Sequence, residues 1–315
     1  MARAKSTAKS TNRPAEPRVA LGMGLRLVSA LALALMFAGV KWAGERGAGV
    51  VETLFYRQIG SVVCAVAWVA TGTGFASLRT RRFGAHAMRM AIGVVAMLLN
   101  FLMVTLLPLA EATAIGFSVP IFATLLAAVV LRERTGRWRW GAIIVGFVGV
   151  LIIVQPGSGH ISLHGGLVAI GAAVSTACAT IAIRHLGATE AVATTVFWFG
   201  VTSLVPLGLA MPFVARTHDP GTFAAIAALS LAGGIAQLAL TGALRLAPVS
   251  LVMPMDYSAL LWASILGLAL FGQAPSHWTW VGAPIVIAAG LVILWREQRL
   301  RRSGSATVAV PEVSP

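Results

Sequence analysis

Charged residues are scarce in this chain. Only 11% of its 315 residues are Asp, Glu, Lys or Arg, whereas 58% are hydrophobic and the mean hydropathy is +0.86. About a quarter of the residues in a water-soluble domain are charged. A chain with so few charged residues cannot bury all of its apolar surface in a water-soluble core. The composition excludes an ordinary soluble enzyme and predicts an all-α integral membrane protein.

Cysteines and metal-binding patterns are also nearly absent. Only Cys64 and Cys178 occur, both inside apolar runs, where they are expected to pack as small hydrophobic side chains without a disulfide. The loop histidines lack carboxylates at ligand spacing, so we expect no metal and no cofactor. They are His160, His164, His218 and His277.

Sequence patterns for catalysis are missing as well. No G-x-S-x-G, H-E-x-x-H or phosphate-binding glycine loop is present, and of the ten acidic residues only Asp256 is expected deep in an apolar run. The net charge of +14 is spread over short clusters between apolar runs, which argues against nucleic acid as a partner. An intramembrane enzyme and a channel remain only as remote alternatives.

The apolar runs are long enough to cross a bilayer. A spanning helix needs about 20 predominantly apolar residues, and Gly, Pro and charged residues separate ten such runs. The predicted spans are 21–43, 50–71, 87–108, 110–131, 138–155, 163–185, 191–213, 222–245, 249–271 and 277–296.

Basic residues are distributed unevenly between the two sets of loops. The loops and ends on one side contain most of them, at 1–20, 79–89, 132–139 and 296–302. The opposite loops contain only Lys41, Arg46 and Arg216. By the positive-inside rule, this bias predicts a multi-pass protein of the bacterial inner membrane with both termini in the cytoplasm.

The two halves of the chain are similar to each other. At an offset of 140 residues, 108–154 aligns with 248–294 without a gap, and the matches include Trp138 with Trp278 and Trp140 with Trp280. The loop RERTGRWRW contains four arginines, whereas its counterpart GQAPSHWTW contains none. We therefore expect the two copies, each of five helices, to cross the membrane in opposite directions.

This repeat divides the chain into four parts. They are a disordered cytoplasmic N-terminal tail (1–20), a first five-helix repeat (21–155), a second five-helix repeat (163–296) and a cytoplasmic C-terminal tail (297–315).

Residues 108–157 and 254–297, together with FYRQIGS at 55–61, resemble the EamA-type transporters of the drug/metabolite transporter superfamily. The resemblance implies a central cavity walled by helices 1 to 4 and 6 to 9, with helices 5 and 10 at the periphery. Many relatives carry Glu at the ends of helices 4 and 9. Here Glu133 is matched by Gln273, so an acid at the second position is not required.

Two ionisable residues inside predicted spans are the first candidates for a binding site. An ionisable side chain near the bilayer centre costs about 2.5 to 3.5 kcal/mol on insertion scales, so Arg57 and Asp256 must face a partner or water. Asp256 aligns with Gly116 in the repeat, and this asymmetry would suit an asymmetric ligand. The alternative is a fixed structural ion pair between Arg57 and Asp256.

Other candidates surround interruptions of the helices. Pro120 and Pro254 predict irregular backbone in helices 4 and 9. Uncharged polar candidates for substrate binding are Asn100, Thr113, Gln237 and Tyr257, and aromatic ones are Phe117, Trp198 and Trp262. Interhelical hydrogen bonds and ordinary packing are the alternative roles for these side chains.

The favoured function is secondary transport of a small organic metabolite by alternating access, with export of an amino acid or related compound ahead of the alternative. That alternative is uptake of a vitamin or nucleoside-like metabolite such as riboflavin or S-adenosylmethionine, which the resemblance also allows. Because no nucleotide-binding motif occurs, an ion gradient or the substrate's own gradient must drive transport. Proton coupling and a homodimer are both compatible with the sequence.

The predicted topology can be tested with reporter fusions. Fusions after Arg137 and after Pro275 should report opposite sides of the membrane, because the first loop is arginine-rich and its counterpart is not. Alkaline phosphatase and fluorescent-protein reporters measure the two sides independently. Identical readouts at both positions would contradict the inverted repeat.

Overall fold

The computed structural model describes residues 19–71, 74, 78–80, 82–129, 137–155, 161–187, 192–246 and 252–305. The regular structure in these ranges is helical. A 3₁₀ helix covers Met253–Tyr257. The α-helices are α1 (Val19–Glu45), α2 (Val50–Thr71), α3 (Phe83–Leu106), α4 (Leu109–Gly116), α5 (Val119–Val129), α6 (Arg137–Val154), α7 (Leu163–Gly187), α8 (Val192–Val214), α9 (Pro220–Leu246), α10 (Ser258–Phe271) and α11 (His277–Ser305).

The helices reproduce the predicted membrane spans. Among the described residues, nine helical segments are long and apolar enough to cross a bilayer, and the shorter apolar helix Trp140–Val154 corresponds to the fifth predicted span. The prediction of an all-α membrane protein is therefore confirmed. Residues 1–18 and 306–315 of the predicted tails lie outside the described ranges, and α11 continues beyond its predicted end at 296 to Ser305.

The backbone is interrupted in spans 4 and 9, as the prolines predicted. Span 4 consists of α4 and α5, separated by a turn at Phe117 and Ser118. The Ser118 hydroxyl donates to the Ile115 carbonyl at 2.6 Å, and the Ser118 carbonyl accepts from the Ile121 amide at 2.9 Å. Pro120 fits the first turn of α5, where its missing N–H is not needed. Span 9 instead begins with the 3₁₀ helix, which contains Pro254.

α6 and α11 pack against each other in antiparallel orientation, because Gly146 lies near Ala289 whereas Ile153 lies near Gly282. A Cβ atom added to Gly146 would lie 3.1 Å from the Cβ of Ala289, and one added to Gly149 would lie 2.8 Å from Cγ2 of Val286. At the repeat offset of 140, Gly146 corresponds to Val286 and Gly149 corresponds to Ala289, so each contact is the counterpart of the other. A pseudo-twofold axis between the halves generates such reciprocal contacts, and this supports the proposed inversion.

Small residues allow α2 to approach its neighbours α8 and α9 closely. A Cβ atom on Gly60 would lie 2.6 Å from the Ser230 carbonyl oxygen, and one on Gly234 would overlap Sγ of Cys64. Cys64 therefore packs between helices, as predicted. In lipid, where helix association depends on contact rather than on hydrophobic burial, such small-residue surfaces hold the bundle together.

Buried polar contacts join span ends at the predicted external side. The Lys41 ammonium donates to the Leu107 carbonyl at 2.8 Å, and the Glu52 carboxylate contacts Nε2 of His218 at 3.1 Å. Both contacts tie the end of one helix to a neighbouring loop. Burial of these charged groups is tolerated because each has a polar partner.

Glu111 lies in the first turn of α4 and has partners far away in the chain. Its Oε1 accepts hydrogen bonds from the Ser276 amide at 2.9 Å and the Thr279 hydroxyl at 3.1 Å. Glu111 thus links α4 of the first half to the start of α11 in the second. Sequence spacing gave no sign of this contact because the partners are 165 and 168 residues away.

α9 begins with a regular N-cap in the loop before it. The Asp219 carboxylate accepts from the Thr222 amide at 3.0 Å and the Thr222 hydroxyl at 2.6 Å, and Pro220 occupies the first helical position. These hydrogen bonds favour the ionised carboxylate and lower the pKa of Asp219. The cap defines the predicted external end of α9.

The close contact at Gly60 predicts an unequal effect of two alanine substitutions. Gly60→Ala should lower thermal stability in detergent, because overpacking of a tight contact costs about 1 to 3 kcal/mol. Gly24→Ala is the matched control, because nothing lies within 4 Å of a Cβ atom at that position. Equal melting temperatures for the two variants would contradict the packing argument.

Candidate functional site

A cavity of about 790 Å³ lies in the centre of the bundle. Its lining residues come from α1 to α5, α7, α8, α9, the 3₁₀ helix and α10, and the described residues of α6 and α11 contribute none. The expected arrangement, with helices 1 to 4 and 6 to 9 around a cavity, is therefore confirmed. Cavities of about 300 to 1,000 Å³ hold small organic ligands.

Six of the nine residues predicted for substrate binding line this cavity. They are Arg57, Asn100, Thr113, Phe117, Gln237 and Asp256. Their positions agree with a binding role, which stays a prediction because the cavity geometry tests location and not function.

Two of these polar side chains are already engaged in hydrogen bonds. The Asn100 amide donates to the Ala96 carbonyl at 2.7 Å and to the Thr176 hydroxyl at 2.8 Å, which links α3 to α7. The Thr113 hydroxyl donates to the Leu109 carbonyl at 2.7 Å within α4. Both side chains keep acceptor capacity, so each can still receive a hydrogen bond from a ligand.

The other three predicted residues do not line the cavity. Trp198 packs edge-on against Phe83, with centroids 4.9 Å apart, and its indole N–H donates to the Leu78 carbonyl at 2.8 Å. Tyr257 packs edge-on against Phe117 at 5.1 Å and supports that ring. Trp262 on α10 is also absent from the lining.

The physical reason for these differences is helical geometry. Successive residues of an α-helix point about 100° apart, so Phe199 faces the cavity where its neighbour Trp198 does not. The direction of a side chain on an entirely apolar helix cannot be read from periodicity, because lipid and core favour the same residue types.

Asp256 pairs with Arg26, and not with Arg57 as the sequence analysis considered. The Arg26 guanidinium donates through Nε to Oδ1 of Asp256, and its Nη1 lies 3.3 Å from the Ser29 hydroxyl. Ser29 in turn donates to the Ala236 carbonyl of α9 at 2.8 Å. This group joins α1, α9 and the 3₁₀ helix of span 9 around one neutralised charge.

Arg57 instead contacts a neutral side chain. Its Nη1 donates to Oε1 of Gln58 at 2.5 Å, and the Gln58 amide donates to the Ser203 hydroxyl at 2.5 Å. Arg57 is 9% exposed. Its charge therefore lies inside the bundle beside amide and hydroxyl groups, and within the described helices no carboxylate pairs with it.

Arg89 is a cavity residue that the sequence analysis assigned to a cytoplasmic loop. Arg89 also fell within predicted span 3 (87–108), and the structure places it as the seventh residue of α3, which begins at Phe83. It is 9% exposed, and its guanidinium carbon lies 4.1 Å from the ring centroid of Phe199. Arg26 was also missed, although its position inside predicted span 1 carried the same signal as Arg57.

The lining suits binding rather than covalent chemistry. Aromatic rings from three helices, those of Phe37, Phe117 and Phe199, form part of the wall. Three arginines and one aspartate supply its ionisable groups in the described part of the lining. Within the described ranges, no group of three His, Cys, Asp or Glu residues is placed to hold a metal ion.

A central cavity between membrane-spanning helices of two similar halves defines a multi-pass membrane transporter. The chain belongs to the EamA-like transporter family, whose sequence profile matches residues 20–155 and again 163–295. Membership of a transporter family also confirms the prediction that the protein is not an enzyme.

Named relatives include transporters of two kinds of metabolite. A riboflavin transporter of Rhizobium johnstonii is 32% identical over 73% of this chain and 76% of its own length. A riboflavin transporter of Vibrio cholerae is 27% identical over 72% and 76%, respectively. An S-adenosylmethionine uptake transporter of Rickettsia prowazekii is 27% identical over 79% and 84%.

The fold is also shared with a protein of known structure. A crystal structure with 20% sequence identity superimposes with a TM-score of 0.58 and covers 88% of this chain and 98% of the other. Similarity at this level shows the fold alone.

The Arg26–Asp256 pair leads to a prediction with a built-in comparison. Asp256→Asn should lower transport at least tenfold and also lower the yield of folded protein, because it leaves the charge of Arg26 without a partner. The neutral double variant Arg26→Gln/Asp256→Asn should restore the yield but not the transport. Transport rates in vesicles, normalised to folded protein, measure both effects.

An exposed arginine provides the control for this comparison. Arg216→Gln should leave both yield and rate unchanged, since this side chain lies in an exposed loop. If the double variant transports as well as the wild type, the ion pair is only part of the scaffold.

Proposed function

We propose that this protein takes up a planar heteroaromatic metabolite of the riboflavin type across the bacterial inner membrane. The observation that carries the proposal is the cavity of about 790 Å³, whose wall combines phenylalanine rings with hydrogen-bonding and cationic side chains. Aromatic rings bind planar ligands by stacking or edge contacts, and polar groups set orientation. The name of the Rickettsia prowazekii relative, an uptake transporter, favours uptake over the export expected from the sequence.

The charge of the cavity favours a riboflavin-type ligand over S-adenosylmethionine. Among the described lining residues, Arg26, Arg57 and Arg89 carry three positive charges and Asp256 carries one negative charge. S-adenosylmethionine carries a sulfonium and an ammonium group besides one carboxylate, so its net charge is positive and this excess of positive charge disfavours it. Flavin rings are neutral and rich in carbonyl acceptors, which arginine N–H groups can bind.

Alternating access is the mechanism that the architecture supports best. The interrupted spans 4 and 9 lie at matched positions of the two halves, where Phe117 contacts Tyr257, its counterpart at the repeat offset of 140. Rocking of one half against the other about this contact would open the cavity to either side in turn. Glu52 and Glu111 mark the contacts that such a motion must break on the predicted external side.

Amino-acid export remains the second candidate. The observation that favours it is the pair of buried arginines, because an amino acid would offer them a carboxylate. Against it stands the size of the apolar wall, which a small amino acid would leave largely unfilled.

The proposed activity can be measured with purified protein in liposomes. We expect saturable uptake of radiolabelled riboflavin in the absence of ATP, because the sequence contains no nucleotide-binding motif. Protein-free liposomes and an excess of unlabelled riboflavin are the controls. A strict ATP requirement, or saturable uptake of S-adenosylmethionine or an amino acid but not of any flavin, would contradict the proposal.

A further inference from the structure

Several hydrogen-bonding atoms in the cavity wall lack a partner. Arg57 Nε, Arg89 Nε and Nη1, and the Ser61 hydroxyl are buried without a hydrogen-bond partner in the described part of the chain. The three residues are 9%, 9% and 5% exposed, respectively, and all line the same cavity. Buried donors without an acceptor are costly, so this concentration of donors points to a ligand.

The donors reach the cavity from two neighbouring helices, α2 and α3. Arg57 follows the start of α2 by seven residues and Arg89 follows the start of α3 by six, and these two consecutive spans cross the membrane in opposite directions. Arg57 Nε lies 3.3 Å from the position of a Cβ atom on Gly233 of α9. Nη1 of Arg89 lies 3.5 Å from the position of a Cβ atom on Gly93 of α3, and both arginines line the same cavity.

Neighbouring groups hold these arginines in a fixed orientation. The Arg89 guanidinium lies over the face of Phe199, and Gly93 permits this approach because a Cβ atom there would be 2.6 Å from the Phe199 ring. Gln58 anchors one nitrogen of Arg57. Stacking uses the face of a guanidinium and leaves its edge N–H groups available to an acceptor.

Within the described lining of the cavity, no free carboxylate balances the charge of this pair. Asp256, the acid in the described lining, is paired with Arg26. Two positive charges therefore remain in a cavity of low dielectric, where an uncompensated charge is unfavourable. A bound oxyanion would neutralise this charge and would also accept the unused hydrogen bonds.

We propose that Arg57, Arg89 and Ser61 form an oxyanion subsite, which binds a phosphate or carboxylate group carried by the transported metabolite. This inference rests on the proposed function in one respect, namely that the ligand contains a flavin-type aromatic ring. Riboflavin itself has no such group, whereas its 5′-phosphate has one. If the subsite binds such a group, the transported substrate is an anionic heteroaromatic metabolite.

Two matched pairs of flavins test the subsite by binding to the purified, full-length protein. Riboflavin 5′-phosphate should bind at least tenfold more tightly than riboflavin if the subsite accepts phosphate. The 10-carboxymethyl flavin should show the same advantage over lumiflavin if it accepts carboxylate. Quenching of flavin fluorescence measures all four affinities.

Substitutions assign the preference to the proposed residues. Arg57→Gln and Arg89→Gln should each reduce the preference for the anionic flavin to less than about threefold, and Arg89→Lys should retain part of it because the charge remains. Arg46→Gln is the matched control, since Arg46 lies at the end of α1 outside the cavity lining and should leave the preference unchanged. A melting curve for each variant shows that it is folded.

The outcomes separate this inference from the proposed function. Equal affinities within both flavin pairs, or a preference that survives both glutamine substitutions, would overturn the subsite while leaving riboflavin uptake intact. If no flavin binds, the proposed function fails, and adenosine against adenosine 5′-monophosphate then tests the subsite alone. Tighter binding of adenosine 5′-monophosphate than of adenosine, dependent on both Arg57 and Arg89, would support the subsite. Equal binding of the two ligands would overturn it.

Discussion

The organisation of this protein depends on the requirement that polar groups inside a bilayer find partners within the protein. Regular helices satisfy the backbone, and the irregular segments at Phe117–Ser118 and at the 3₁₀ helix occur in spans that border the central cavity. Several charged side chains follow the same requirement. Lys41 and Glu111 bind backbone groups of neighbouring segments, and Asp256 binds Arg26.

Close contacts between the halves explain how a cavity can coexist with a stable bundle. Glycines on α6 and α11 bring the two peripheral helices together away from the cavity, and Gly60 does the same for α2 and α9. The central space is thus bordered by helices that are held by contacts elsewhere. This separation allows the lining to vary in chemistry without loss of the fold, which agrees with a family whose named members transport different metabolites.

The cavity combines an apolar, partly aromatic wall with a localised excess of positive charge. Arg26 is neutralised by a carboxylate, whereas Arg57 and Arg89 have mainly neutral neighbours, so the three arginines are not equivalent. The paired arginine connects spans 1 and 9. The unpaired arginines instead present hydrogen-bond donors to the cavity, and this difference separates a structural contact from a candidate binding contact.

The sequence by itself determined the membrane class, the spans, the interrupted helices and most of the candidate polar residues. These follow from composition, run length and proline positions, which act locally. Only the tertiary structure decided that Asp256 meets Arg26, that Arg89 lines the central cavity and that Phe199 rather than Trp198 faces this cavity. Such contacts join residues far apart in the chain, and the rotation of an apolar helix depends on its neighbours, because lipid and protein core favour the same side chains.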